Sequence, residues 1–98
     1  MISRDDFIFT VGYQGDTAIV DASAKKRNKG LTASELASKG LFKQAFSAAL
    51  FDGDKEGMQK ILEDYNRIAG TEYEDLADLK RLFGVDGVRE DISRTKAL

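Results

Sequence analysis

The acidic residues of FDGDKEGMQKILE, residues 51–63, have the types and spacing that can bind a hard cation. Counted from Asp52, carboxylates stand at positions 1, 3, 5 and 12, which are Asp52, Asp54, Glu56 and Glu63, and Gly57 stands at position 6. Calcium takes six to eight oxygen ligands, and a twelve-residue loop with a sharp glycine turn can supply them at this spacing. These four carboxylates are therefore candidate metal ligands.

The pattern resembles the calcium loop of the EF-hand family. The preceding segment, FKQAFSAALF, resembles the helix that enters such a loop, so the resemblance covers about 25 residues. It implies a calcium-binding module in which the four carboxylates are the ligands. The chain departs from the family at position 8, where Gln59 replaces an aliphatic residue, and it has no second loop to pair with.

The same stretch also fits a plain turn between two helices. Apolar residues recur at helical spacing from Met58 through Ile61 to Tyr65, which predicts a helix that begins near Lys55. Asp54 would then cap that helix, and the second half of the loop could not wrap around an ion. We therefore prefer the turn, and we predict no bound metal and no cofactor.

Residue types that commonly perform catalysis are missing. The 98 residues include no histidine and no cysteine, which excludes an imidazole base, a thiol nucleophile and thiolate metal sites. No nucleophile–base pair and no phosphate-binding loop stands out. We expect no catalytic residues and do not expect an enzyme.

Two segments have features that occur in nucleic-acid-binding proteins. The segment 31–50, LTASELASKGLFKQAFSAAL, resembles a helix-turn-helix, which implies DNA binding as a third hypothesis. Its second helix carries a single basic residue, Lys43. The basic run at 25–29 has no interleaved aromatic residue, and the net charge is −2. A basic footprint is the first requirement of such a protein, so we do not expect a nucleic-acid partner.

The N-terminal stretch DFIFTVGYQGDTAIVDA alternates apolar and other residues, which predicts a β-hairpin at about 7–22. Phe7, Phe9, Val11 and Tyr13 would share its apolar face. The loop is placed at Gln14-Gly15 or at Gly15-Asp16, because both give the same parity of pairing.

Helical stripes follow at about 32–39, 41–51, 55–69 and 72–83. Thr32 with Glu35, and Thr71 with Glu74, have the spacing of capping boxes. The fold class we predict is α+β, with an N-terminal antiparallel hairpin packed on three to four short helices in one domain, residues 1–84. Residues 85–98 are polar and should form a mobile or weakly helical tail. The predicted core is the apolar face of the hairpin together with Leu36, Phe42, Phe46, Leu50, Met58, Ile61, Leu62, Tyr65, Leu76, Leu79 and Phe83.

The function that we expect depends on the edges of the hairpin. Both strands lack a central charge and a proline, and we expect no bulge in them; edges without these features pair readily with another chain. We expect a small non-catalytic interaction or regulatory module with a protein partner, or self-association, through a hairpin edge. Alternatively, the tail or the 23–31 loop covers that edge. No apolar run approaches the length of a membrane span, and the start MISRDDFIF lacks the features of a signal peptide, so we expect a cytoplasmic protein without membrane contact.

Overall fold

The computed structural model describes residues 2–98. It has the predicted α+β class, with a β-hairpin near the N-terminus and six helices over the described residues, where the sequence predicts three or four. Within residues 2–98 no helix combines the length and apolar character needed to cross a membrane. The elements, in chain order, are α1 Arg4–Ile8, β1 Thr10–Gln14, β2 Thr17–Val20, α2 Ala22–Arg27, α3 Ala33–Ser38, α4 Phe42–Phe51, α5 Lys55–Ala69, α6 Leu76–Phe83 and β3 Arg94–Ala97.

The first apolar residues form a helix and not a strand, so the predicted start of the hairpin at Phe7 is wrong. The Ser3 side chain accepts a hydrogen bond from the backbone N–H of Asp6, which caps α1. Three consecutive residues, Phe7, Ile8 and Phe9, are buried. A strand with one buried face cannot bury three residues in a row, but a short helix and its last turn can.

The hairpin turns at Gly15-Asp16, which is one of the two loops that the sequence left open. Gly15 has a φ of 58°, the left-handed conformation that glycine adopts at no steric cost. Tyr13 pairs with Ala18, as the predicted parity requires.

A bulge at Val11 changes the rest of the register. Gly12 pairs with Ile19 and Thr10 with Val20, so Val11 has no partner residue on β2. Val11 is 53% exposed and Tyr13 is 38% exposed. The prediction that these two side chains belong to the core is therefore wrong.

The tail contains a strand that the sequence did not predict. β3 runs parallel to β2, and the sheet has the order β1-β2-β3. The C-terminal segment thus covers the free edge of β2, which was the alternative to pairing with another chain at that strand. The mobility of residues 85–98 stays a prediction.

Of the two predicted capping boxes, one is confirmed and one is wrong. The capping box of Thr32 and Glu35 is present at the start of α3, with both reciprocal hydrogen bonds. The second capping box is absent, because α6 begins at Leu76 and its cap is Asp75, whose side chain accepts from the N–H of Asp78. Thr71 instead donates its hydroxyl to the Asn66 side chain, at 2.8 Å.

Helix α4 is the centre of the core. Five consecutive residues, Ala45–Ala49, are buried. The helices before and after α4 in the sequence, α3 and α5, both pack against it. Among the predicted core residues, Phe42, Leu50, Met58, Tyr65, Leu76 and Phe83 are partly buried and pack against the core. The buried apolar residues are Ile2, Phe7, Ile8, Phe9, Ala18, Val20, Leu36, Ala45, Phe46, Ala48, Ala49, Ile61, Leu62, Leu79 and Ile92.

Candidate interaction surface

Two of the four carboxylates of the EF-hand-like stretch have separate structural roles, and the other two lie along α5. Asp52 binds Arg4 through two hydrogen bonds, of 3.0 and 3.1 Å. Asp54 caps α5 by accepting from the N–H of Gly57 at 2.9 Å. Glu56 and Glu63 both lie on α5, seven residues apart, which corresponds to about 10 Å along a helix axis. No group of three or more metal-binding side chains occurs in the part of the chain that the structure describes.

Calcium is therefore expected to leave the stability of the protein unchanged. A site filled at a hundred times its dissociation constant would add about 2.7 kcal/mol, which raises the melting temperature of a domain this size by several degrees. Thermal unfolding with calcium and with a chelator measures this difference. A calcium-dependent rise that disappears in Glu63→Gln would contradict the turn and support the ion site.

The predicted helix-turn-helix consists of α3 and α4, but the second helix is committed to the core. Its middle residues are buried, and Lys43 is half-buried. In the basic run, Lys25 forms an ion pair with Asp6 at 2.6 Å. Lys25, Lys26 and Arg27 lie in the last turn of α2, where positive side chains interact favourably with the helix dipole. The absence of nucleic-acid binding stays a prediction.

A groove of about 410 Å³ opens between α3 and α5. The residues that line the groove include small ones that do not fill it, namely Ala33 and Ala37 on α3 and Gly57 on α5. Ile61 also lines the groove. Its charges are compensated within α5, because Asp64 contacts both Lys60, at 4.0 Å, and Arg67, at 3.3 Å. The small residues that face each other were the sequence signal for this groove, and sequence reasoning missed them.

The outer edge of β1 presents unpaired backbone. The N–H of Leu98 donates to the carbonyl of Val20, so Val20 directs its backbone groups towards β3. Backbone groups alternate in direction along a strand, so Ile19 faces β1, where its partner is Gly12. Tyr13, the next residue, therefore directs its N–H and carbonyl away from β2. Among residues 2–98 no backbone hydrogen bond reaches this side of Tyr13.

The tail fixes the hairpin next to that edge. Arg89 donates to the carbonyl of Gly15 at 3.1 Å and pairs with Asp91 at 2.6 Å. Its guanidinium also lies over the Tyr13 ring, 4.8 Å from the centroid, a distance at which a cation is attracted to the ring face. The edge of β1 is thus held in place by residues more than seventy positions away in the sequence.

A second anchor joins the tail to the hairpin turn. The N–H of Ser93 donates to the Asp16 carbonyl at 2.9 Å, and its hydroxyl donates to the Asp16 carboxylate at 2.7 Å. The hydrogen bond from Ser93 lowers the pKa of Asp16, so the carboxylate is charged at neutral pH. Hydrogen bonds from Arg89 likewise lower the pKa of Asp91, so the ion pair is intact there.

Burial has the opposite effect on Tyr13. It raises the pKa of the phenol, and this outweighs the positive charge of Arg89 beside it. The phenol is therefore neutral at physiological pH and can contact apolar groups without the cost of burying a charge.

A shallow groove of about 80 Å³ borders the same edge. One wall is β1, from Thr10 to Tyr13, and the other includes Lys43 and Ser47 on α4 and Val85 after α6. A chain that paired with β1 could place a side chain in this groove. The sequence indicated an open hairpin edge, but the bulge and the contribution of α4 could not be derived from it.

The chain matches no protein-family model, no curated protein and no solved structure.

Proposed function

We propose that this chain is a small, non-catalytic interaction module that binds an extended segment of a protein chain along the outer edge of β1. The observation that carries the proposal is the outward direction of the Tyr13 backbone groups, with no backbone partner among the described residues. An extended segment that adds to a sheet edge gains backbone hydrogen bonds, and its alternate side chains enter neighbouring pockets.

Three properties of β1 support this role. The strand TVGYQ carries no charged residue, and a charged residue there would oppose pairing. Val11 and Tyr13 expose apolar surface beside the groove. The tail anchors at Arg89 and Ser93 hold the hairpin in one place, so little ordering of the strand itself is required on binding.

A cytoplasmic location is part of the proposal. A chain without cysteine does not need an oxidising compartment for its folding. The process in which the module acts would follow from the protein that supplies the extended segment.

Peptide selection tests the proposal. Linear peptides selected from a random displayed library should protect the Tyr13 amide from hydrogen exchange when they bind. Val11→Lys should abolish this binding, because a charge at an edge opposes strand addition. The matched control is Ile68→Lys, the same kind of change at a residue that is 62% exposed on α5, and it should bind like the wild type. Selected peptides that leave Tyr13 unprotected, or a library without binders, would contradict the proposed edge.

A further inference from the structure

We infer that the segment which completes the β1 edge is β1 of a second copy of this chain, paired antiparallel about a two-fold axis at Gly12. The inference rests on the proposed function, because it names the partner of the same edge. Two three-stranded sheets would then become one continuous sheet of six strands, with the two β1 strands at its centre. Such an interface is isologous, so each copy contributes the same surface.

The strand is complementary to itself in this register. An axis at Gly12 places Val11 of each copy directly opposite Tyr13 of the other. These are the two large apolar side chains that β1 exposes, and aromatic and β-branched residues pair favourably across strands. Gly12 directs its backbone towards β2 and Tyr13 directs its backbone outwards, so Tyr13 of each copy supplies hydrogen-bonding groups to the new edge, opposite the bulge residue Val11.

The charges also permit self-pairing. TVGYQ has no charged residue, so an antiparallel pair of these strands brings no like charges together. The guanidinium of Arg89, which lies over the Tyr13 ring, is compensated by Asp91 in the same copy. The two strands themselves therefore add none of the like-charge repulsion that keeps natural edges apart.

The groove beside β1 accommodates the incoming side chain. It adjoins Val11, and the Tyr13 ring of the second copy is expected at this position. Its walls offer Val85 for the ring and the polar atoms of Lys43 and Ser47 for the phenol hydroxyl. Tyrosine buries well when its ring has apolar neighbours and its hydroxyl has a hydrogen-bond partner.

The edge has only five residues, so the interface is small. Interfaces of this size belong to the weak or transient class, and a dimer in rapid exchange with the monomer is expected. Concentration therefore controls the population, and the test must cover a wide range of it.

A disulfide at the axis gives the sharpest test. The chain has no cysteine, and a Cβ added to Gly12 meets no atom within 4 Å, so Gly12→Cys should fold. Directly opposed residues of this type lie about 4.5 Å apart between Cα atoms, which is within the range a disulfide spans. The covalent dimer should form under mild oxidation at least about tenfold faster in Gly12→Cys than in the control.

The control is Ile68→Cys, at a residue that is 62% exposed on α5, a helix outside the sheet. Equal rates of cross-linking in the two variants would overturn the proposed register. Light scattering provides a measurement that does not depend on cysteine. From about 10 µM to about 1 mM, the mass should rise from 10.8 kDa towards twice that value in the wild type and in Ile68→Lys, and stay monomeric in Val11→Lys.

The outcomes separate this inference from the proposed function. A strictly monomeric wild type whose Tyr13 amide is protected by selected peptides overturns the second copy and leaves the edge as a binding site for another protein. A monomer that also binds no peptide at β1 overturns both. A dimer that persists in Val11→Lys places self-association on another surface and overturns the inference.

Discussion

Replacing Phe46 by alanine is expected to lower the free energy of unfolding by about 3–5 kcal/mol. Phe46 is completely buried on α4, and its ring lies 5.9 Å from that of Phe83 on α6. The substitution removes the contact with Phe83 and leaves a cavity that close-packed neighbours fill only in part. A domain of this size has a total stability of about 5–15 kcal/mol, so the variant should retain little of it.

Urea unfolding followed by circular dichroism measures this loss. Phe51→Ala is the matched control, because it makes the same change on the same helix at a half-buried position that contacts Phe7. Its cost should be clearly smaller, since less apolar surface returns to water. Equal losses for the two variants would show that Phe46 is not at the centre of the core.

The central helices could be predicted because their signals are local. The residues Met58, Ile61, Leu62 and Tyr65 recur at helical spacing, and this stripe identifies both α5 and the face that packs on the core. Asp54 before the stripe marks the helix start, because its side chain accepts a hydrogen bond from the N–H of Gly57. Each of these two signals, the apolar spacing and the cap, is contained within residues 54–65.

The N-terminal segment was mispredicted because two periods compete there. Phe7, Phe9, Val11 and Tyr13 alternate as a strand would, but Ile8 between them is apolar as well. Ser3 and Asp6 supply a helix start immediately before. The cap and the burial of consecutive residues favour the helix, and the strand begins only at Thr10, so local alternation alone could not place the boundary.

The candidate surface could be predicted only in part, since distant contacts build it. An uncharged hairpin edge is visible in the sequence, but β3 is RTKA, which has neither apolar alternation nor strong β propensity. It becomes a strand because Ser93 binds Asp16, far away in the sequence, and the following residues then lie against β2. This covers the edge of β2 and leaves the edge of β1 as the one that the proposal concerns.

Replacing Asn66 by alanine is expected to lower the free energy of unfolding by about 2–4 kcal/mol, since it removes three hydrogen bonds of a partly buried network. The Asn66 amide donates to the Tyr73 carbonyl at 2.8 Å, and its oxygen accepts from the Tyr73 N–H at 3.0 Å and from the Thr71 hydroxyl at 2.8 Å. These bonds determine the path from α5 to α6, and they explain why Thr71 does not begin a helix.

Two variants separate the contributions within this network. Thr71→Val removes only the hydroxyl bond and should cost about 1 kcal/mol. Asn66→Asp keeps the acceptor but sets a carboxylate against the Tyr73 carbonyl, so its loss should fall between the other two at neutral pH. The measurements are urea unfolding and hydrogen exchange of the Tyr73 amide, which should accelerate most in Asn66→Ala. If Thr71→Val and Asn66→Ala cost the same, the Tyr73 contacts do not contribute, and the position of α6 depends on the packing of Leu79 and Phe83 against the core.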